Sequence, residues 1–434
     1  MLDSNDPLIA LADTIDWDIF EEAFAKHYSK DGRPAKPIRL MVGLLILKQL
    51  ENLSDENIVL QWKRNPYYQY FCGMHEYTPA YPCDATELVK FRRRIGKEGV
   101  ELIFATSVAL HGKDAEEKRV IVDTTVQEKN ITYPTDGKLA IKMIHHLHKI
   151  AKTEKIQLRR TYVKEIKEHR IKLRFFRHPK KIKKAKVAMK RLKTITGILI
   201  RDLKRNMNET QLQKYQETFE LFLKVSDQKQ KDSNKIYSLH EQHIYAIAKG
   251  KDHKKYEYGT KASIVKTEKS GIIIGAVAHE KNEHDSKTLQ AALTHANKHR
   301  TKKIKEATCD RGYRGTKEVD GTTICIPGTP LKRDTKYQKE QKRKKFRRRA
   351  AIEPVIGHLK SDHRLARNYL KGFVGDEINL LLAAAAFNFK KWMNRFLWLL
   401  FAYKIAIFIR TLQYIKPEER QRYVDLYLPV WRLW

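Results

Sequence analysis

Apolar positions in the first hundred residues repeat every three to four places, the spacing of helix faces. Over 8–28, Leu8, Leu11, Ile15, Ile19 and Phe20 stand among acidic residues and predict one helix. Asp31-Gly32-Arg33-Pro34 reads as a turn. The stretch PIRLMVGLLILKQLENLSDENIVLQWKRNPYYQYFCG predicts two helices around a short break, with Pro37 suited to a first turn and Ser54 to a cap. CDATELVKFRRRIGKEG predicts another, opened by Asp84 and Glu87 as a capping box. The pattern changes at 119–126, RVIVDTTV, where a β-branched run predicts a strand ending on Asp123. Residues 127–258 read as mainly helical, without a strand. From 256 the chain turns β again: YGTKASIVKT and GIIIGAVAHE form a hairpin around Glu268–Gly271, and 284–300 is a helix with Asp285 or Ser286 at its cap. Two further strands end on Asp310 and at Pro327-Gly328, and a basic run from Lys342 to Arg349 leads into a helix carrying Glu353.

This order predicts a mixed α/β fold: a sheet with a large basic helical insertion after its first strand, preceded by an all-α N-terminal domain. At 434 residues the chain is long enough for two or three domains. We place them at 1–112, at 113–390 with the insertion at about 127–258, and at 391–434.

Charge sharpens the reading. The net charge is +36, and half of it falls within 149–205, where 22 lysines and arginines face four acids. An excess of that size points to a polyanionic partner, most simply nucleic acid, with a ribosomal-type or merely basic protein as the alternative. Apolar residues recur between these charges, so the block reads as helices, two of them antiparallel, rather than as a tail. Lys183, Lys184 and Lys186 are candidate phosphate contacts, with a solvated charged face as the alternative. Three short helices of which the last is basic resemble a helix-turn-helix unit, and Arg92, Arg93 and Arg94 are its candidate DNA-binding residues. The four cysteines show no paired spacing, which argues against a zinc module or disulfide framework and fits a reducing cytosol. The acidic N-terminus does not read as a signal peptide. The apolar run 396–409 is 14 residues long and contains Lys404, too short for a membrane span, so a buried or partner-facing helix is expected.

Glu353 is an isolated carboxylate among cations. Phe346, Arg349, Glu353 and Lys360 follow a 3–4–7 spacing that places them on one stripe of a continuous helix. Pro354 fits a helix starting at Glu353–Pro354, which would leave Arg349 on the preceding segment. A divalent metal that also touches phosphate would satisfy the carboxylate. On composition alone, Asp123 reads more readily as a turn or capping residue, and Asp310 has the same alternative.

Phe346-x2-Arg349-x3-Glu353-x6-Lys360 resembles the Tyr-x2-Arg-x3-Glu-x6-Lys signature of DDE-type bacterial insertion-sequence transposases, with Phe in place of Tyr. RPAKPIRLMVGLLILKQLENLSDENIV, IEPVIGHLKSDHRLARNYLKG and GDEINLLLAAAAFNFKKW are similar to one large subgroup of that family. The resemblance implies a ribonuclease-H-like catalytic core. It implies Asp123, Asp310 and Glu353 as catalytic and metal-binding residues for two Mg2+ ions, with Mn2+ as a substitute. Arg349 and Lys360 would hold DNA phosphates. The implied function is a transposase that binds terminal inverted repeats, cleaves DNA and transfers the strand. It would act as a homodimer on DNA, without a membrane, in the bacterial cytoplasm at the nucleoid. An inactive DNA-binding relative and a nuclease unable to join strands are the alternatives. His284 and Asp285 in NEHDSKTL resemble a recurrent family element, though a helix cap accounts for Asp285. Asp136 reads as a turn residue, and His358 and His363 as DNA-contacting or surface residues.

Overall fold

The N-terminal apolar stripes form more helices than their spacing announces. In a computed structural model, which describes residues 2–28, 35–176, 178–229, 232–248, 255–328 and 330–414, α1 (Pro7–Thr14) and α2 (Asp18–Ala25) replace the single helix expected over 8–28. The chain turns extended at Ile15, and the Trp17 indole N–H donates to the Ala12 carbonyl at 2.8 Å across the corner. The turn expected at Asp31–Pro34 lies outside the described residues. α3 (Ile38–Leu50) is buried at every position except Arg39. α4 (Asp55–Arg64) is capped by Ser54, and α5 (Pro66–Phe71) by Asn65. α6 (Ala85–Ala109) opens on the expected Asp84–Glu87 capping box and bends at Gly96, whose φ of 60° is open to glycine and strained for a side chain.

β1 (Arg119–Lys129) continues six residues past Asp123, where the strand was expected to end, so Asp123 lies within the strand and not at its exit. Among its described residues the insertion holds four helices, α7 (Asp136–Thr153), α8 (Val163–Leu173), α9 (Ile182–Asn206) and α10 (Glu209–Asp227), of which α8 and α9 fill most of the basic block at 149–205. They enclose a core of their own, in which Leu147, Leu192, Leu199, Phe219 and Phe222 are buried. A short strand, β2 (Tyr245–Ala248), closes the insertion where no strand was expected; its four residues are too few for a period-2 signal. β3 (Tyr256–Thr267), β4 (Ile273–His279), α11 (Asp285–Lys298), β5 (Glu306–Thr308), β6 (Glu318–Val319), β7 (Thr322–Cys325), α12 (Lys336–Ala350), α13 (Ile352–Ser361), β8 (Arg367–Asn368) and α14 (Gly372–Tyr414) follow.

The strands form one mixed sheet in the order β2-β3-β1-β5-β7-β6. β4 pairs with β3 beyond β2, and β8 pairs with β1 beyond β5. β3 runs antiparallel to both β1 and β4, whereas β1, β5 and β7 are parallel. β5 covers only Arg119–Ile121 of its edge of β1, and β8 only Glu128–Lys129. The stretch between them, which includes Asp123, therefore borders no strand on that edge.

α14 fastens the assembly. Its first half is buried against α3, α6 and β4, and the Asn388 amide both accepts from Ile273 N–H and donates to Ile273 C=O, completing an edge strand as a neighbouring strand would. Fully buried Asp376 accepts from Lys129 at 2.6 Å, from Asn368 at 2.6 Å and pairs with His243 at 2.9 Å, tying β1, β8 and the end of the insertion to α14. The N-terminal helices, the sheet and α14 share one hydrophobic core. The helix runs unbroken through position 391 and exposes Trp398, Leu399, Tyr403 and Ile407 beyond it. Where the sequence showed only a 14-residue apolar run, α14 is long and apolar enough to cross a membrane by length and composition.

Candidate active site

β1 and β5 place two aspartates side by side. Ile121 pairs with Thr308 in a parallel ladder; Asp123 and Asp310 each lie two residues further on. Parallel strands run about 4.8 Å apart, so the two positions are neighbours, Asp123 midway along β1 and Asp310 just past the end of β5. Asp123 is half-buried on β1, and its Oδ1 accepts from the Thr124 N–H at 2.7 Å. Asp310 caps a short 3-10 turn, accepting from the Gly312 N–H at 2.8 Å. The same hydrogen bond explains both the turn reading of Asp310 and its fixed orientation.

A third carboxylate comes close to this pair. The expected cap of α11 is filled by His284, whose ring accepts from the Ser286 N–H, and Asp285 is the first helical residue instead. A cap therefore does not account for its side chain. Asp285 Oδ1 accepts from Lys261 Nζ at 2.9 Å and from the Thr124 hydroxyl at 3.1 Å. A Cβ on Gly312 would stand 3.0 Å from Asp285 Oδ2 and 3.0 Å from Asp310 Oδ1, so both oxygens border the space left by the missing methyl. The next residue, Tyr313, is fully buried with no hydrogen-bond partner for its hydroxyl. Burial first, then the nearby charges of Cys309, Asp285, Asp123 and Asp310, push its phenol far above the ordinary range. On the opposite flank, burial and then Lys261 lower His279 to about 4, and its Nε2 lies 2.8 Å from the Ser263 hydroxyl.

Glu353 is on α13, which packs against β1. The break that Pro354 predicts is present: α12 ends at Ala350 with Arg349 on it, α13 begins at Ile352, and Pro354 falls in its first turn, where a missing N–H costs nothing. Arg349 and Glu353 still meet across the junction at 3.1 Å, with Glu353 62% exposed and Arg349 19%. Arg349 also lies over the Phe346 ring at 5.5 Å. Lys360 is half-buried on the same helix.

The basic candidates divide. Lys183, Lys184 and Lys186 are exposed on α9, and Arg93 and Arg94 are exposed on α6. Arg92 points the other way, a correction to the expectation that it meets DNA: it is 4% exposed and grips Asp55 with two bonds of 2.7 and 2.5 Å, while Lys48 adds a third at 2.9 Å. Helical periodicity assigns one arginine of three to the inner face, and the run itself does not say which. No residue of α12 is fully buried, and most cations of this strongly basic helix face solvent. His363, expected near DNA or the surface, is buried, and its Nδ1 lies 3.3 Å from the Gln49 carbonyl.

Among the described residues, one group of three metal-ligating types has its ligand atoms within 4.8 Å of one another: Glu101, His295 and His299. Its geometry is that of a hydrogen-bonded latch between α6 and α11. The Ala276 N–H donates to His295 Nδ1 at 3.3 Å, which leaves the proton on Nε2, 2.8 Å from Glu101 Oε1. A metal on Nε2 would need that proton removed and Nδ1 protonated against a backbone donor. Asp123, Asp310 and Glu353 are not among the groups of described residues whose ligand atoms lie within 4.8 Å of one another.

Two separate stretches of the chain match two known families. The family described as "Transposase domain (DUF772)" matches residues 1–94, and that described as "Transposase DDE domain" matches residues 225–389. A Rhizobium meliloti protein named "Uncharacterized protein ORF8 in nfe locus" is 42% identical over 176 residues, 39% of this chain and 85% of that protein. No solved structure matches.

Proposed function

The chain belongs to the DDE-type insertion-sequence transposases, and from that premise we propose that it binds the terminal inverted repeats of an insertion sequence, cleaves there and joins the freed end to target DNA. The observation that carries the proposal is the register of β1 and β5, which makes Asp123 and Asp310 neighbouring positions. The strand order β4-β3-β1-β5-β7, antiparallel in its first three members and parallel in its last three, supports a ribonuclease-H-like core.

The residues fit a divalent metal. Carboxylate oxygens are the ligands Mg2+ and Mn2+ prefer, and the β1–β5 register makes the Asp123 and Asp310 carboxylates neighbours. Asp123, Asp310 and Glu353 would hold the metal, which when bound supplies stabilisation of charge on the attacking and leaving oxygens of a phosphodiester displacement. The protein's own part is placement. The Asp310 turn and the Thr124 amide fix the two aspartates before DNA arrives, and the Arg349–Glu353 pair must open so that the arginine, with Lys360, can meet phosphate. Arg93, Arg94 and the lysines of α9 supply non-specific affinity for duplex DNA. Two ends must be held together, so the acting form is a homodimer on DNA, in the cytoplasm.

A duplex carrying the terminal repeat, incubated with protein and Mg2+, tests this reading. Nicking at the repeat boundary followed by joining to a second duplex is expected. A pre-cut end that never joins would leave a nuclease; binding without nicking would leave an inactive relative.

A further inference from the structure

Asp285 is absent from the three-acid arrangement above, yet it touches residues next to two of its members, Thr124 beside Asp123 and Gly312 beyond Asp310. One oxygen takes the Thr124 hydroxyl, and Thr124 is the neighbour of Asp123 whose amide also fixes that aspartate. The other oxygen borders Gly312, whose amide fixes Asp310. Two oxygens that are each 3.0 Å from one point are no more than about 6 Å apart, so Asp285 and Asp310 flank the same small space. Lys261, anchored by the Glu283 carbonyl at 2.6 Å, holds Asp285 from behind at 2.9 Å. The N-terminus of α11 adds a favourable field for its charge.

We infer that Asp285 is a positioning residue of the site: clamped by Lys261, it sets the spacing between Asp123 and Asp310 and so the affinity of that pair for a divalent ion. It acts by accepting hydrogen bonds and filling the space against Gly312. The inference rests on the proposed metal-binding role of Asp123 and Asp310, and its test separates the two.

Mn2+ is titrated into the full-length protein by calorimetry, without DNA, for Asp285→Ala, Asp285→Asn, Lys261→Met and Asp123→Asn. Asp285→Ala is expected to weaken Mn2+ binding at least tenfold. Asp285→Asn, which keeps an acceptor for Thr124, is expected to restore affinity to within about threefold, since neutral acceptors replace most of a hydrogen bond's net worth. Lys261→Met is expected to fall between them. If Asp285→Asn loses as much as Asp285→Ala, the carboxylate charge itself is required and the positioning role is overturned. If Asp285→Ala binds Mn2+ normally while Asp123→Asn does not, only this inference fails. If Asp123→Asn also binds normally, the reading of the whole site fails. Should Asp285→Ala not fold, Thr124→Val removes the same hydrogen bond from the other side, and unchanged Mn2+ affinity there contradicts the inference.

Discussion

Asp123 and Asp310 stand in matching positions on neighbouring parallel strands, each two residues beyond the paired Ile121 and Thr308. They are 187 positions apart in sequence, and the helical insertion fills most of that interval. The insertion folds around its own apolar centre, which lets it interrupt the sheet without disturbing this register.

Gly312 is where that register is most tightly packed. Gly312→Ala puts a methyl 3.0 Å from oxygens of both Asp285 and Asp310. The variant is expected to be less stable by about 1–3 kcal/mol, the usual penalty of overpacking, and to lose end cleavage. Urea unfolding and a nicking assay check the two effects separately.

The Arg92–Asp55–Lys48 cluster makes a prediction about stability rather than DNA. Asp55→Ala leaves two buried cations without a counter-charge and is expected to cost at least about 3–5 kcal/mol. Arg93→Ala and Arg94→Ala, on the exposed face, are expected to change stability by less than about 0.5 kcal/mol and to weaken duplex binding. A normal urea midpoint for Asp55→Ala would contradict the buried assignment.

The insertion is predicted to bind through phosphate neutralisation. Replacing Lys183, Lys184 and Lys186 together by alanine is expected to lower the salt slope of duplex binding by roughly 0.9 for each phosphate that is no longer neutralised. Binding across a range of NaCl concentrations measures the slope, and an unchanged slope means that α9 does not touch DNA.

The mixed fold, the capping residues Ser54 and Asp84, and the strand carrying Asp123 are legible in the sequence because each rests on local pattern. What is not legible depends on distant partners. β2, β6 and β8 are two to four residues long, too short for an alternating signal. The inward turn of Arg92 depends on Asp55, 37 positions earlier. Asp285 looks like a cap locally, and only Lys261 and Thr124 pull it toward the aspartates. The basic helix α12 buries no residue fully, so its sequence carries charge but no apolar stripe by which to recognise it.

Two groups set a pH dependence. His279 is lowered to about 4 by burial and by Lys261, so it is neutral in the folded protein where an unfolded histidine would begin to protonate. Its contribution to stability is full above about pH 6.5 and is lost as pH falls toward 4. For Glu101, burial works to raise the carboxyl, but the hydrogen bonds from His295 and His299 outweigh it and hold the group low, so its contribution is lost at more acid pH still. Thermal midpoints are therefore expected to fall from pH 7 to pH 4, and His279→Gln is expected to flatten the upper part of that fall.

If Asp123 and Asp310 act on DNA together, neither can be neutralised without loss of cleavage, and the nicking rates of Asp123→Asn and Asp310→Asn on a terminal-repeat duplex test this most directly. Each is expected to lose at least about a thousandfold in rate, a deficit of about 4 kcal/mol in the barrier, while binding the duplex as tightly as the parent chain. Either variant nicking at the parental rate would contradict the joint role of the two aspartates.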